Sequence, residues 1–142
     1  MATRCLIAIV YPTGRVEFVY CHHDGYPEGV GAVLIQHYTD PLKVMELVKY
    51  GAMSSIGKEV HPDPQGPHSF GNPQEDVCVF YGRDREDDDC APGTAESLEE
   101  FWQGVRGDVF IEYVYTFDVT ASKWTVDENA RGVSRGTQAL RD

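Results

Sequence analysis

Basic residues are scarce in this sequence: 12 Lys and Arg stand against 23 Asp and Glu, which gives a formal net charge of -11. A protein that binds nucleic acid without sequence preference needs a basic face to displace counterions from the phosphates. The scarcity therefore disfavours direct nucleic-acid binding. It leaves two interpretations, because carboxylates can imitate a phosphate array and compete for a basic partner, or can simply keep a small protein in solution.

Three further patterns are missing from the chain. No apolar run approaches the about 20 residues of a membrane helix, and the apolar stretch in MATRCLIAIVYP is too short for a signal peptide. No C-x-x-C pair supports a zinc knuckle or a thioredoxin-like motif. We therefore expect a cytoplasmic protein without membrane contact or cofactor, with reduced thiols. The cysteines are Cys5, Cys21, Cys78 and Cys90.

The composition is that of a globular protein, with 42% hydrophobic and 11% aromatic residues. Residues 5–11 and 15–20 are strand-like and flank a Pro-Thr-Gly turn, which predicts a β-hairpin. Pro27 and the pair Asp40-Pro41 indicate two helix starts, and apolar residues at helical spacing follow both. Further apolar patterns predict a strand near 77–81, a helix near 94–105 and a final strand pair.

The predicted order of elements is β-β-α-α-loop-β-α-β-β. Because hairpins at both ends require antiparallel pairing, we predict a single two-layer α+β domain over residues 1–126. Its sheet would be mainly antiparallel, with the helices packed on one face. Residues 127–142 are polar and punctuated by glycine, so we predict a loose or partner-docked C-terminal tail.

The stretch YCHHDGYP, residues 20–27, concentrates metal-ligating side chains at the end of the second strand. Zinc requires four donors in a tetrahedron, whereas adjacent residues of an extended chain point to opposite sides. His22 and His23 therefore do not form a ligand pair easily, and no standard spacing connects them to other histidines. A polar turn with solvated histidines is the favoured interpretation, and we predict no metal ligands.

A nucleophile is the second interpretation of the same region. Cys21 beside His22 suggests a thiol enzyme, but adjacency alone provides neither a base within hydrogen-bond reach nor an orienting third group. Ser54 or Ser55 could form a triad with a histidine and Asp24, yet no G-x-S-x-G elbow surrounds them. Serines that cap a turn are more common, so we predict no catalytic residues.

The stretch YGRDRED, residues 81–87, carries a different chemistry. Arg83 and Arg85 would share one face of a strand end, with Asp84 on the other. Guanidinium forks recognise phosphates and carboxylates in bidentate fashion. Internal ion pairs with neighbouring acids are the plainer alternative.

If the strands before these two stretches are neighbours, both stretches open at one edge of the sheet. The connection over residues 52–75 contains four of the eight prolines, and so long a connection in a small domain more often binds something than not. We therefore predict a pocket for a small anionic, nucleotide-like ligand. Its residues would be His22, Asp24, Tyr26, Ser54, Ser55, His68, Arg83, Asp84 and Arg85. The run of Glu86, Asp87, Asp88 and Asp89 would contact a basic partner protein.

Several motifs resemble a family of small proteins found mainly in bacteriophages and prophages. They are YCHHDGYPEGVGAVLIQHYTDPLKVMELVKYGAMSSIGKEV, PHSF…NP, VFYGRDRED and a terminal Y-x-Y-x-F…W. The family pattern is C-H-W-D-G-Y-P, then H-Y, S-S-x-G and R-D-R-x-E-D, and His23 replaces its tryptophan here. The resemblance runs from about residue 15 to residue 124, and it implies a location in the cytoplasm of a bacterial host.

The resemblance supplies context rather than a mechanism. Small acidic phage proteins often act on host defences, so we expect a phage accessory protein that counters a defence system by binding. Its acidic surface would block a nucleic-acid-binding effector such as a CRISPR complex, or its pocket would sequester a nucleotide signal. Two alternatives stay open: a small hydrolase or metal-assisted enzyme that acts on a nucleotide or phosphoester, and a structural or regulatory interaction protein. A homo-oligomer is compatible with each.

Overall fold

The computed structural model describes residues 2–130 and 133–140 of the chain. Its strands form one sheet in the order β4-β3-β2-β1-β6-β7-β8, and β5 pairs with β2 beside this path. The strands are β1 (Cys5–Val10), β2 (Val16–Cys21), β3 (Met53–Ser55), β4 (Val79–Phe80), β5 (Gly93–Ala95), β6 (Tyr113–Asp118), β7 (Lys123–Ala130) and β8 (Val133–Ala139). The helices are α1 (Ala32–His37), preceded by a π-helical turn (Pro27–Gly31), α2 (Pro41–Lys49), α3 (Tyr81–Arg85) and α4 (Leu98–Val105).

The pairing confirms the predicted α+β domain with a mainly antiparallel sheet. β1 and β2 form the predicted hairpin, with Cys5 opposite Cys21. Two of the pairings in the described sheet are parallel, β1 with β6 and β2 with β3. β1 is therefore central, which explains why its six residues are apolar on both faces.

The helices lie on both faces of the sheet, not on one as the sequence predicted. On the first face, Ile7 and Ile9 pack with residues of α1 and α2 such as Leu34 and Leu47, and we call this the closed face. On the opposite face Leu6 and Ala8 pack with Phe101 and Val105 of α4, and we call this the open face. The third predicted helix therefore covers the other side of the hairpin, because Val16 and Phe18 also present apolar surface there.

The helix starts follow ordinary capping chemistry. The carboxylate of Asp40 accepts a hydrogen bond from the N–H of Leu42 at 2.9 Å, as the Asp40-Pro41 pair predicted. Helix α4 begins after Ser97, whose hydroxyl accepts from the N–H of Glu100 at 3.1 Å. Thr94 lies in β5 instead of capping this helix. Among residues 2–130 and 133–140, no helix has the length and apolar character that crossing a membrane requires.

The sheet continues past residue 126, where the sequence predicted a tail. β7 runs on to Ala130, and β8 pairs with it in antiparallel fashion. The buried side-chain amide of Asn129 donates to the carbonyl of Ile111 at 2.9 Å. This part of the strand buries the polar side chains of Asp127 and Asn129, so it lacks the apolar alternation by which strands are recognised in a sequence.

Candidate functional site

The predicted stretch at residues 20–27 is held in place by its backbone. The N–H of Gly25 donates to the carbonyl of Thr3 at 2.8 Å, and the hydroxyl of Tyr115 donates to the carbonyl of Gly25 at 2.7 Å. A Cβ at position 25 would lie 2.6 Å from the Thr3 carbonyl, so this close approach requires glycine. Asp24 and Tyr26 are exposed, and the hydroxyl of Tyr26 donates to the carboxylate of Asp24 at 3.2 Å.

His22 and His23 diverge, as expected for adjacent residues. The Nδ1 atom of His22 lies 2.6 Å from the hydroxyl of Tyr20, whose ring packs on the open face. Burial lowers the pKa of His22, and the charges of His23 and Arg4 lower it further. His22 is therefore a neutral partner of Tyr20 at neutral pH.

Cys21 is fully buried, and its thiol lies 3.7 Å from the carbonyl oxygen of His23. The thiol thus interacts with a backbone carbonyl and with the side chain of Cys5, and neither group is an imidazole or carboxylate that could act as its base. In the described parts of the chain, no three or more His, Cys, Asp or Glu side chains are grouped so that they could hold a metal ion.

Arg83 is committed to an internal network. Its guanidinium donates to the carbonyls of Val60 at 2.6 Å and Cys78 at 2.8 Å. It also donates to both carboxylate oxygens of Asp84, at 2.9 and 3.1 Å, and lies over the ring of Phe80 at 4.8 Å. These bonds use all three guanidinium nitrogens, so Arg83 stabilises the long connection against β4.

Asp84 completes this network, and its side chain is only 5% exposed. Burial alone would raise the pKa of Asp84, but hydrogen bonds from Arg83 and from the N–H of Phe80 lower it overall. His68 lies against the same carboxylate, with its Nε2 atom 3.3 Å from Oδ1. Its Nδ1 atom accepts from the N–H of Gln74, which leaves the ring proton on Nε2. The contact between Nε2 of His68 and Oδ1 of Asp84 lacks hydrogen-bond geometry and is therefore electrostatic.

Arg85 lies outside this network. Its guanidinium stacks on the rings of Phe70 and Tyr81, at 4.6 and 4.8 Å from their centroids. It also forms a bidentate pair with Asp87, with a shortest distance of 2.6 Å. Asp87, one of the four acids predicted to contact a partner, is thereby held by an internal ion pair. Glu86, Asp88 and Asp89 are exposed.

The structure does not bring the predicted ligand residues around one concavity. β3 lies between β2 and β4, so the two polar stretches follow strands that are not neighbours. Asp24 and Ser55 do meet, in a shallow groove of about 240 Å³ beside α1 that His23 also lines. Ser54 is buried next to them in β3. Arg83, Asp84 and His68 form the internal network, while Arg85 stacks at the surface.

The largest described cavity lies elsewhere, on the open face between α4 and the hairpin. It has a volume of about 420 Å³, and carbon-rich side chains of the sheet and of α4 form most of its wall. We call this cavity, together with the neighbouring one described next, the open-face cleft. The first part is lined by Leu6, Phe18, Tyr20, Thr94, Ala95, Glu100, Phe101, Gly104, Val105, Asp108 and Ile111.

The second part of the open-face cleft measures about 310 Å³ and shares Leu6, Phe18 and Tyr20 with the first. Its outer wall includes Asp89 and Cys90. The carbonyl of Cys90 accepts from the N–H of Ala52 at 2.8 Å, which fixes the acidic run beside β3.

Acidic residues are concentrated around this cleft. Residues 86–112 contain nine of the 23 acids of the chain and one of its 12 basic residues, Arg106. Asp89, Glu100 and Asp108 line the cleft directly, and no Lys or Arg is among the lining residues within the described ranges 2–130 and 133–140. Most of the excess negative charge of the protein therefore lies in the segment that forms one wall of the cleft.

Exposed apolar side chains accompany this charge. Among the described residues, Leu98, Val109 and Phe110 are three of the five large hydrophobic side chains that are exposed to solvent. Leu98 begins α4, and the other two follow its end. Phe110 is 65% exposed, with the guanidinium of Arg4 at 5.7 Å from its ring.

Sequence reasoning identified the acidic run but not the cleft beside it. The pattern placed Val16, Phe18 and Tyr20 on one face of the hairpin, and it placed Phe101 and Val105 on one face of a helix. It did not show that a cavity remains between this helix and the hairpin. The hairpin carries apolar residues on both faces, and this pattern indicates that another element packs against each face.

Comparisons of this chain with protein-family models, with curated proteins and with solved structures find no significant match.

Proposed function

We propose that this chain is a non-enzymatic binding protein that covers the basic surface of a nucleic-acid-binding partner. In line with the sequence resemblance, we propose that it is a phage protein and that the partner belongs to a host defence system, such as a CRISPR effector complex. One observation supports this most strongly: residues 86–112 contain nine acids and a single arginine, and Glu100 and Asp108 of this segment line the cavity of about 420 Å³.

The physical basis is electrostatic complementarity. A surface that binds nucleic acid carries Lys and Arg spaced to meet phosphates, and carboxylates at similar spacing compete for the same side chains. Glu86, Asp88 and Asp89 are exposed, and the anchored Cys90 carbonyl holds them at a fixed place on the surface. Fixed charges meet a partner with a smaller entropy loss than charges on a loose tail.

The nucleotide-binding alternative has less support from the geometry. It depended on Arg83 as the anion-binding group, and the guanidinium of Arg83 is engaged by two carbonyls and a carboxylate of the protein. The groove beside α1 that includes Asp24 and Ser55 has no Lys or Arg among the described residues that line it.

The proposal is tested with a purified CRISPR effector complex and a labelled target duplex. The chain is added before the duplex, and bound DNA is measured by anisotropy over a series of salt concentrations. We expect inhibition that weakens steeply as salt increases, because exposed charge pairs are screened within about 10 Å at 0.1 M salt. Inhibition that does not change with salt would contradict the electrostatic basis of the proposal.

Two variants of equal net charge locate the interaction. The first combines Glu86→Gln, Asp88→Asn and Asp89→Asn in the acidic run. The second combines Glu28→Gln, Glu75→Gln and Asp76→Asn, which are exposed acids elsewhere. We expect the first variant to lose inhibition and the second to retain it. Equal losses in both would show that only net charge matters, and absence of inhibition across a panel of basic effectors would overturn the proposed function.

A further inference from the structure

We propose that the open-face cleft receives apolar side chains of a basic, amphipathic segment of the partner. This inference rests on the proposed function and specifies the chemistry of the segment that is recognised. The occupant would be a single stretch of chain, such as a helix, with apolar residues on one face and Lys or Arg flanking them.

The interior of the cleft supports the apolar half of this inference. The cavity of about 420 Å³ is floored by Leu6, Phe101 and Val105, which are themselves buried. The ring of Phe18 contacts that of Phe101 at 5.0 Å between centroids, and the half-buried Phe18 and Tyr20 supply the apolar surface that water still reaches. This volume lies within the about 300–1,000 Å³ typical of ligand pockets. A purely basic segment would leave this apolar surface in water, whereas an apolar side chain would remove it from water.

The rim supports the basic half. The carboxylate of Glu100 accepts one hydrogen bond from the N–H of Glu96 at 3.0 Å, and that of Asp108 accepts one from the N–H of Phe110 at 2.9 Å. Each ionised carboxylate has about four acceptor sites, so both can still bind a cation from a partner. With Asp89 at the far end, carboxylates lie at both ends of the apolar floor.

The shape of the cleft favours one elongated segment. Its two parts share Leu6, Phe18 and Tyr20, so they lie side by side on the hairpin. The exposed Val109 and Phe110 directly follow Asp108 in the chain and offer further apolar surface. Two or more anchoring side chains of one amphipathic segment would fill such a site, as in the binding of a helix in a groove.

Gly104 provides a direct probe of the cleft. It lines the cleft from α4, and a Cβ placed there would have no neighbour within 4 Å. Gly104→Phe therefore places a ring in the cleft without a backbone clash and without a change in charge. Gln103→Phe adds the same ring at an exposed position of the same helix and is the matched control.

The experiment uses three labelled synthetic peptides of about 15 residues, a length at which an isolated helix begins to form. One combines Leu and Lys in an amphipathic helical pattern, one replaces each Leu by Ser, and one replaces each Lys by Glu. Binding to the full chain is measured by fluorescence anisotropy, and thermal unfolding confirms that each variant is folded.

We expect the wild type and Gln103→Phe to bind the Leu/Lys peptide about tenfold or more tightly than the Ser/Lys peptide, which corresponds to one or a few buried anchors. Gly104→Phe should lose this preference and keep the weaker, salt-sensitive binding of the Ser/Lys peptide. The Leu/Glu peptide should not bind.

Three results would overturn the inference. They are equal binding of the Leu/Lys and Ser/Lys peptides by the wild type, an unchanged preference in Gly104→Phe, or comparable binding of the Leu/Glu peptide. The basic peptides could still bind in these cases, and bind more weakly to the variant with Glu86→Gln, Asp88→Asn and Asp89→Asn. In that event the proposed function stands while this inference fails. Failure of every basic peptide to bind would reject both.

Discussion

Charged side chains on the two faces of the sheet differ in how far the protein itself satisfies them. On and beside the closed face, Arg83 and Asp84 satisfy one another and nearby carbonyls, and the side chain of Asp84 is 5% exposed. On the open face, Glu100 and Asp108 line an apolar cleft, and no Lys or Arg is among the described residues that line it. The difference shows that residue type alone does not tell whether a charged side chain is committed to the fold or open to a partner.

The largest effect is expected from breaking the internal network. Arg83→Ala leaves the buried carboxylate of Asp84 without its main partner, which costs about 3–5 kcal/mol in free energy of unfolding. Urea denaturation measures this. The matched control is Arg85→Ala, which removes a guanidinium from an exposed stack and should shift the midpoint far less. Similar shifts in both variants would show that Arg83 is not the structural residue described here.

A second comparison uses one leucine from each face. Leu47 of α2 is fully buried on the closed face, so Leu47→Ala should cost about 2–5 kcal/mol. Leu98 of α4 is 41% exposed, and Leu98→Ala should cost less than about 1 kcal/mol because little apolar surface is lost from the core. Denaturant unfolding of both variants checks the contrast. A larger loss in Leu98→Ala would mean that the open face is more tightly packed than we describe.

Gly51 follows α2 and lies against the backbone of Cys90, the residue after the acidic run. It has a φ of 81°, and a Cβ there would collide with the carbonyl of Cys90. Gly51→Ala should therefore cost about 1–3 kcal/mol through backbone strain. It should also displace residues 86–89 and weaken binding of basic peptides, which anisotropy measures. Unchanged binding in a destabilised but folded Gly51→Ala variant would show that the acidic run acts without this anchor.

The smallest effect is expected in the pH dependence of stability. The pKa of Asp84 is lowered in the folded state, so its contribution is fully present above the ordinary value of 3.8 and is lost as the pH falls through the lower folded value. Unfolding free energies measured from about pH 2.5 to 5 should fall on acidification, with a shallower slope in Asp84→Asn. An equal slope in both proteins would show that Asp84 does not contribute to the loss of stability in acid.

Local patterns predicted the local parts of the fold. The Pro-Thr-Gly turn, the Asp40-Pro41 helix start and the face of Phe101 and Val105 are each determined by neighbouring residues, and the structure confirms them. The placement of α4 on the second face was predicted wrongly. It depends on which face of the hairpin remains uncovered, and this is a property of the whole chain.

The candidate site was predictable only in part. The acidic run was visible as four consecutive acids, and three of them are exposed. The pocket around Arg83 was not formed as expected, because β3 inserts between β2 and β4. A strand as short as Met53–Ser55 has no alternating pattern long enough to be recognised, so the neighbours of β2 could not be deduced from the sequence.

The central claim is that binding occurs on the open face, and backbone NMR tests it most directly. The labelled chain is titrated with the Leu/Lys peptide, and amide shift changes are mapped on the structure. We predict that the changes concentrate at Leu6, Phe18 and Tyr20 and within residues 86–112. Changes concentrated instead at residues 20–27 beyond Tyr20, or in the connection over residues 56–76, would contradict the claim and return the site to the region that the sequence first indicated.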